Sequence, residues 1–124
     1  MTLIDSHCHI DGERFDEDRD AVIQNALDAG VKAMLNVGTG SPKEDSFEKT
    51  VELAENNDCV YAAVGIHPHD ADEYDESVEQ RLMDLTKSNE KVLAWGEIGL
   101  DFFYEHSPKD IQKKVFRRQI NVAK

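Results

Sequence analysis

His7 and His9, in the stretch Asp5-Ser6-His7-Cys8-His9, are two imidazoles separated by one residue and preceded by the apolar pair Leu3-Ile4. Side chains at i and i+2 of a strand point to the same face, so both rings leave one side of a strand end. Such a pair is either a chelate of two neutral nitrogens, suited to zinc, manganese, iron or a related divalent ion, or a hydrogen-bonded and solvated pair. Two histidines do not complete a site that needs three or four protein ligands. Asp5 shares their parity and is expected one layer deeper, as a supporting residue behind the ligands, where a buried carboxylate needs a donor or a charge. Glu97, in Gly96-Glu97-Ile98-Gly99-Leu100-Asp101, is the candidate third ligand. Inward parity with Leu93 and Trp95 places it in a strand-end mouth, with a solvated rim as the alternative.

These residues need elements to hold them, and the chain alternates strand and helix patterns. Leu3 to His9 reads as a first strand, followed by a helix through Phe15, Val22, Ile23, Ala26 and Leu27 that stops at Gly30. Val31 to Val37 is a second strand. Ser41-Pro42-Lys43-Glu44 supplies an N-cap, a proline at the first helical position and a capping-box glutamate, opening a helix through Phe47, Val51 and Ala54. Cys59 to Ile66 is a third strand, with a helix near Val78, Leu82 and Leu85. Lys91 to Glu97 is a fourth, and Ser107-Pro108-Lys109-Asp110 opens a helix through Ile111, Val115, Phe116 and Ile120. Strand-helix alternation implies a parallel α/β sheet, either a barrel or an open doubly wound sheet. No glycine-rich phosphate fingerprint follows the first strand, whereas histidines and acids crowd the C-terminal strand ends, where barrels keep their active sites.

Length allows one small domain over residues 1–124, with no linker, repeat or low-complexity tract. The last helix runs to Val122 and Ala123 without a glycine cap or proline stop, and a full eight-stranded barrel takes about 250 residues. The chain is therefore expected to supply about half of one, leaving sheet edges and apolar faces open to self-association. No secretory leader is read and no apolar stretch approaches the roughly 18 residues of a membrane span, which points to the cytosol. Cys8 and Cys59 fall in different strands, with Cys8 opposite the histidines, so two reduced, buried thiols are expected. A formal net charge of −12 excludes a broad basic nucleic-acid surface, and a polyanion would be received locally, by metal ions and a few donors.

Three ordered segments carry a resemblance. Leu3-Ile4-Asp5-Ser6-His7-Cys8-His9-Ile10-Asp11, Gly65-Ile66-His67-Pro68-His69 and Gly96-Glu97-Ile98-Gly99-Leu100-Asp101-Phe102 resemble successive signatures of the TatD family of metal-dependent deoxyribonucleases. Gln112, Phe116 and Gln119 are similar to a further family segment. The resemblance implies a (βα)8 barrel of the amidohydrolase-like kind, of which this chain holds the first four βα units, with a two-metal centre of magnesium, manganese or zinc. It implies His7 and His9 as ligands of one ion, Glu97 as the carboxylate bridging both, and His67 as a group facing the scissile phosphate of DNA. The remaining family ligands belong to later strands.

Around this core, His69 is a weaker candidate for the phosphate pocket, with a structural role as its alternative. Asp101 either orients a ligand or a water, or caps a turn. Phe102-Phe103-Tyr104 reads as loop packing rather than a base-stacking platform, and His106 carries no signal beyond its type. The acid runs Asp16-Glu17-Asp18 and Asp70 to Glu76 read as solvated helix entries. Two rival functions stay open. One is another amidohydrolase-type hydrolase, disfavoured because Glu97 stands where several of those enzymes use a carboxylated lysine. The other is a non-catalytic half-barrel that binds a metal or a partner.

Overall fold

The computed structural model describes residues 2–124. Four strands, β1 (Leu3–Cys8), β2 (Val31–Val37), β3 (Val60–Val64) and β4 (Val92–Trp95), pair in parallel in the order β1-β2-β3-β4. Helices α1 (Arg19–Asp28), α2 (Ser46–Asn56), α3 (Glu76–Ser88) and α4 (Lys109–Val122) follow them in turn. Two short 3-10 helices, Glu13–Phe15 and Pro68–Glu73, lie in the loops after β1 and β3. Parallel neighbours require crossovers of this length, so strand-helix alternation and sheet direction have one cause.

One face of the sheet carries the helices. Met34 of β2 and Val60, Ala62 and Val64 of β3 pack with Phe47, Val51 and Ala54 of α2 and Leu82 of α3. Each of the valine, leucine, methionine and phenylalanine side chains among them contributes about 1.5–3 kcal/mol by burial. The outer strands are the reverse case: Leu3 and Ile4 of β1 and Leu93 of β4 are 42%, 71% and 61% exposed. The arrangement is an arc of a barrel with both edges open, as expected of its first four βα units.

Helix starts differ from the sequence reading in two places. α1 begins at Arg19 rather than near Phe15, because the guanidinium of Arg19 donates to the carbonyls of Ile10, Asp11 and Gly12 and ties down the intervening loop. α2 begins at Ser46, and the expected capping box at Ser41 to Glu44 is a turn. The Ser41 hydroxyl donates to Glu73 at 2.6 Å instead, and Arg81 of α3 takes the carbonyls of Pro42 and Glu44. Tertiary partners outcompete the local cap. The stop at Gly30 holds: its φ of 101° is the left-handed region that glycine enters without cost, one residue past the C-cap Ala29.

The run Asp70 to Glu76 is not simply solvated. Asp72 meets the buried Ser107, Glu73 pairs with Lys43 at 2.7 Å, and Asp75 caps α3 by accepting from the Val78 N–H. Cys59 sits in the turn before β3 rather than within it, and both cysteines are free and half-buried rather than buried.

Gly65 fixes the spacing of the β3 and β4 ends. A Cβ there would lie 2.9 Å from the Gly96 nitrogen and 3.0 Å from its Cα and carbonyl carbon, all backbone atoms that cannot swing aside. Gly65→Ala is expected to lower stability by about 1–3 kcal/mol in urea denaturation, by forcing β4 away. A loss under about 0.5 kcal/mol would show that β4 yields freely.

Candidate metal centre at the strand ends

The C-terminal end of β1 aims His7 and His9 at one point, their Nε2 atoms 3.1 Å apart. The Nδ1 of His9 lies 2.8 Å from the Val37 carbonyl of β2. A carbonyl only accepts, so the proton sits on Nδ1 and the Nε2 lone pair faces the mouth. The chain after His9 is pinned from below. The Ile10 N–H donates to buried Asn36 at 2.7 Å, and Thr50 of α2 bridges Asn36 and Asp11. Cys8 faces the other way, its Sγ against the Leu35 carbonyl, and burial with nearby Asp5 and Asp11 pushes its thiol up to about 11. Its Sγ thus lies on the face opposite the histidine pair.

Glu97 completes the group. One of its oxygens lies 3.6 Å from the His7 Nε2 and the other 3.9 Å from the His67 Nε2. Ligand atoms of His7, His9 and Glu97 all lie within 4.8 Å of one another. Two imidazole nitrogens facing each other with a carboxylate beside them are a donor set that a shared divalent cation satisfies, so these residues fit such an ion. Glu97 arrives there by a route other than simple strand parity. Ala62 pairs with Val92 but Ala63 with Ala94, which leaves Leu93 as an extra residue and reverses the alternation. Trp95 therefore turns to the helix side, where its indole N–H donates to Gln119 at 3.0 Å, and Glu97 lies beyond the strand.

Asp5 stays exposed, and its carboxylate accepts from the His7 backbone N–H at 3.1 Å rather than backing a ring. His67 caps the 3-10 helix Pro68–Glu73: its Nδ1 accepts from the His69 N–H at 3.2 Å. Its ring proton then sits on Nε2, facing the mouth. Burial, and then the neighbouring His69, lower its pKa, so His67 enters the mouth as a neutral donor. The His69 Nε2 bonds the Asp101 carboxylate, which also accepts from the Phe103 and Tyr104 N–H groups at 2.8 and 3.0 Å. Asp101 thus both caps a turn and orients a histidine.

Those three partners, Tyr104 first, hold the Asp101 pKa down to about 2, against an ordinary 3.8. A carboxyl depressed in the folded state stabilises above its ordinary pKa and loses that contribution as pH falls through the folded value. We expect the Phe103 and Tyr104 amide resonances to hold their positions down to about pH 3 in a nuclear magnetic resonance titration. Movement of both with a midpoint near 4 would show that the anchor is loose.

Two buried glutamines, a heptad apart on one face of α4, position these loops. Gln119 accepts from the Ile66 N–H at 2.8 Å and donates to the Ile66 carbonyl at 2.9 Å, bonding the residue before His67 as a strand neighbour would. Gln112 does the same to Asp101, at 2.8 Å in both directions. Thr39 and Gly40 after β2, which carry no expectation from sequence, and Asp70, read there as part of a solvated helix entry, join His9, His67 and Glu97 around the mouth. The small-residue run Gly38-Thr39-Gly40 at a strand end was the available signal.

The description "TatD related DNase" belongs to the family model that matches residues 4–124. The chain belongs to that family. Among curated relatives it is 41% identical over 122 residues to the uncharacterized metal-dependent hydrolase YabD of Bacillus subtilis, covering 98% of this chain and 46% of that protein. It is 31% identical over 121 residues to the 3'-5' ssDNA/RNA exonuclease TatD of Escherichia coli, covering 98% and 45%. The crystal structure of YJJV, a TatD homolog from E. coli, superposes with a TM-score of 0.86 at 33% identity, over 98% of this chain and 46% of that one. The chain thus spans about half the length of the TatD relatives it matches, and its arc of four strands is half of their barrel.

Proposed function

We propose that this chain supplies the first metal-binding half of a phosphodiesterase that hydrolyses DNA, with His7 and His9 as nitrogen ligands and Glu97 as a carboxylate shared between two ions. The convergence of His7, His9 and Glu97 within 4.8 Å carries the reading. Divalent magnesium, manganese or zinc bound there supplies positive charge for the phosphate and an activated water. The remaining work belongs to the chain. His9 is locked by Val37, and Glu97 offers one oxygen toward His7 and one toward His67. His67 holds its Nε2 proton toward the mouth as a donor to a phosphate oxygen or to the leaving oxygen. His69, steadied by Asp101, offers a further contact to the same phosphate, and Asp5 steadies the His7 backbone.

Single-stranded DNA is the favoured substrate, with RNA next, on the strength of the TatD relative's name. The exposed edge strands support association with the remaining barrel half. No helix of the described residues is long and apolar enough to cross a membrane, and two free thiols suit a cytosolic setting. The test is a chimera in which this chain replaces the matched segment of E. coli TatD. Metal-dependent degradation of single-stranded DNA, abolished by Glu97→Gln, is the expected result. A folded chimera that binds metal and leaves DNA intact would overturn the reading.

A further inference from the structure

The loop between β4 and α4 carries an aromatic rim that the sequence reading assigned to packing and the structure leaves in solvent. Phe103 is 84% exposed, Tyr104 65% and Phe102 42%. They are nevertheless fixed in place. The Asp101 carboxylate holds the Phe103 and Tyr104 N–H groups, and Gln112 holds the Asp101 backbone from α4. The rings order one another: Phe103 meets Tyr104 edge to face at 4.8 Å, and Tyr104 lies nearly parallel to His106, 11° apart in plane at 5.9 Å. Tyr104 also meets His69 at 5.8 Å, and His69 lines the mouth that holds Glu97. Rigid rings pointing into water lose contacts that burial would give them, unless a flat partner covers them.

Charge narrows the partner. In a chain of net charge −12, α4 concentrates Lys109, Lys113, Lys114, Arg117 and Arg118 against a single acid, Asp110. Lys109, Lys113 and Arg117 recur every fourth residue and all are exposed, which sets them along one side of the helix. Lys109, which also pairs with Glu105 at 2.7 Å, and Lys113 each lie 5.5 Å from the Phe102 ring centre. Flat π faces beside a cationic strip are the combination that receives a single-stranded polynucleotide, with bases on the rings and phosphates along the cations. We propose that Phe103 and Tyr104 are a base-stacking platform that guides a single strand along α4 into the metal mouth. The proposal deepens the nuclease reading and rests on it for the direction of the strand, but its test needs no catalysis.

The test compares two labelled strands of about ten nucleotides, oligothymidylate and an abasic strand with the same backbone, by fluorescence anisotropy with the metal chelated. The chain is expected to prefer the base-bearing strand by at least about tenfold. Phe103→Ala with Tyr104→Ala erases that preference, and Phe103→Trp with Tyr104→Phe restores it. Lys113→Gln with Arg117→Gln weakens both strands together and flattens the salt dependence. Equal affinity of the unaltered chain for the two strands overturns the platform, as does a double-alanine variant that keeps the preference. So does a double-alanine variant that dissolves a dimer in sedimentation without changing strand affinity, since the rim is then a protein contact. Base preference without DNA hydrolysis in the chimera would fail the nuclease reading alone.

Discussion

His9→Ala is expected to lower the affinity of the chain for zinc or manganese by more than about 100-fold, since loss of outer-shell partners alone costs 10–100-fold and His9 is proposed as a direct ligand. The Val37 carbonyl fixes the His9 tautomer at 2.8 Å and leaves Nε2 free to bind. His7 and Glu97 cannot recover the loss, because one nitrogen and one carboxylate make a weak, open site. Competition with a chromophoric chelator measures the effect. Cys8→Ser is the matched control, since the Cys8 thiol points at Leu35 on the other face and stays protonated. Equal affinities for His9→Ala and the unaltered chain would remove His9 from the site.

Gln119→Leu carries the largest expected loss of stability, about 3–5 kcal/mol, read as a lower urea midpoint with an unchanged slope. The side chain is 1% exposed, and its carboxamide serves three groups: the Ile66 N–H, the Ile66 carbonyl and the Trp95 indole N–H. Leucine fills the space but leaves two donors and the Ile66 carbonyl without that partner, each costing about 1–3 kcal/mol where it is buried. His67 follows Ile66 directly, so the same change should displace the His67 ring. Gln80→Leu removes only a surface bond to Asp84 on α3 and should cost under about 0.5 kcal/mol. A Gln119→Leu loss of that size would mean that α4 does not hold the β3 loop.

How much of this was legible in the sequence follows from the physics of each feature. Strand-helix alternation and the His-x-His pair depend on spacing within a few residues, and β1 delivers both rings as period-two alternation requires. Glu97 lies beside His7 and His67 although the parity with Trp95 that points it there fails, because the extra residue Leu93 shows itself only in the pairing of β3 with β4. The capping box expected at Ser41 rests on a local pattern, while the partners that override it, Glu73 and Arg81, lie about thirty to forty residues away. The roles of Gln112 and Gln119 depend on contacts across 11 and 53 positions, beyond any local pattern. The exposure of Phe103 and Tyr104 was illegible for a like reason: apolar type predicts burial, and a backbone anchored through Asp101 turns both rings outward.

The most direct measurement is the anomalous diffraction map of crystals grown with manganese or zinc. A peak bonded to the Nε2 atoms of His7 and His9 and to a Glu97 oxygen is the predicted result, with the His9 Nδ1 still on the Val37 carbonyl. A peak held by other residues, or none between these three at saturating metal, would contradict the account.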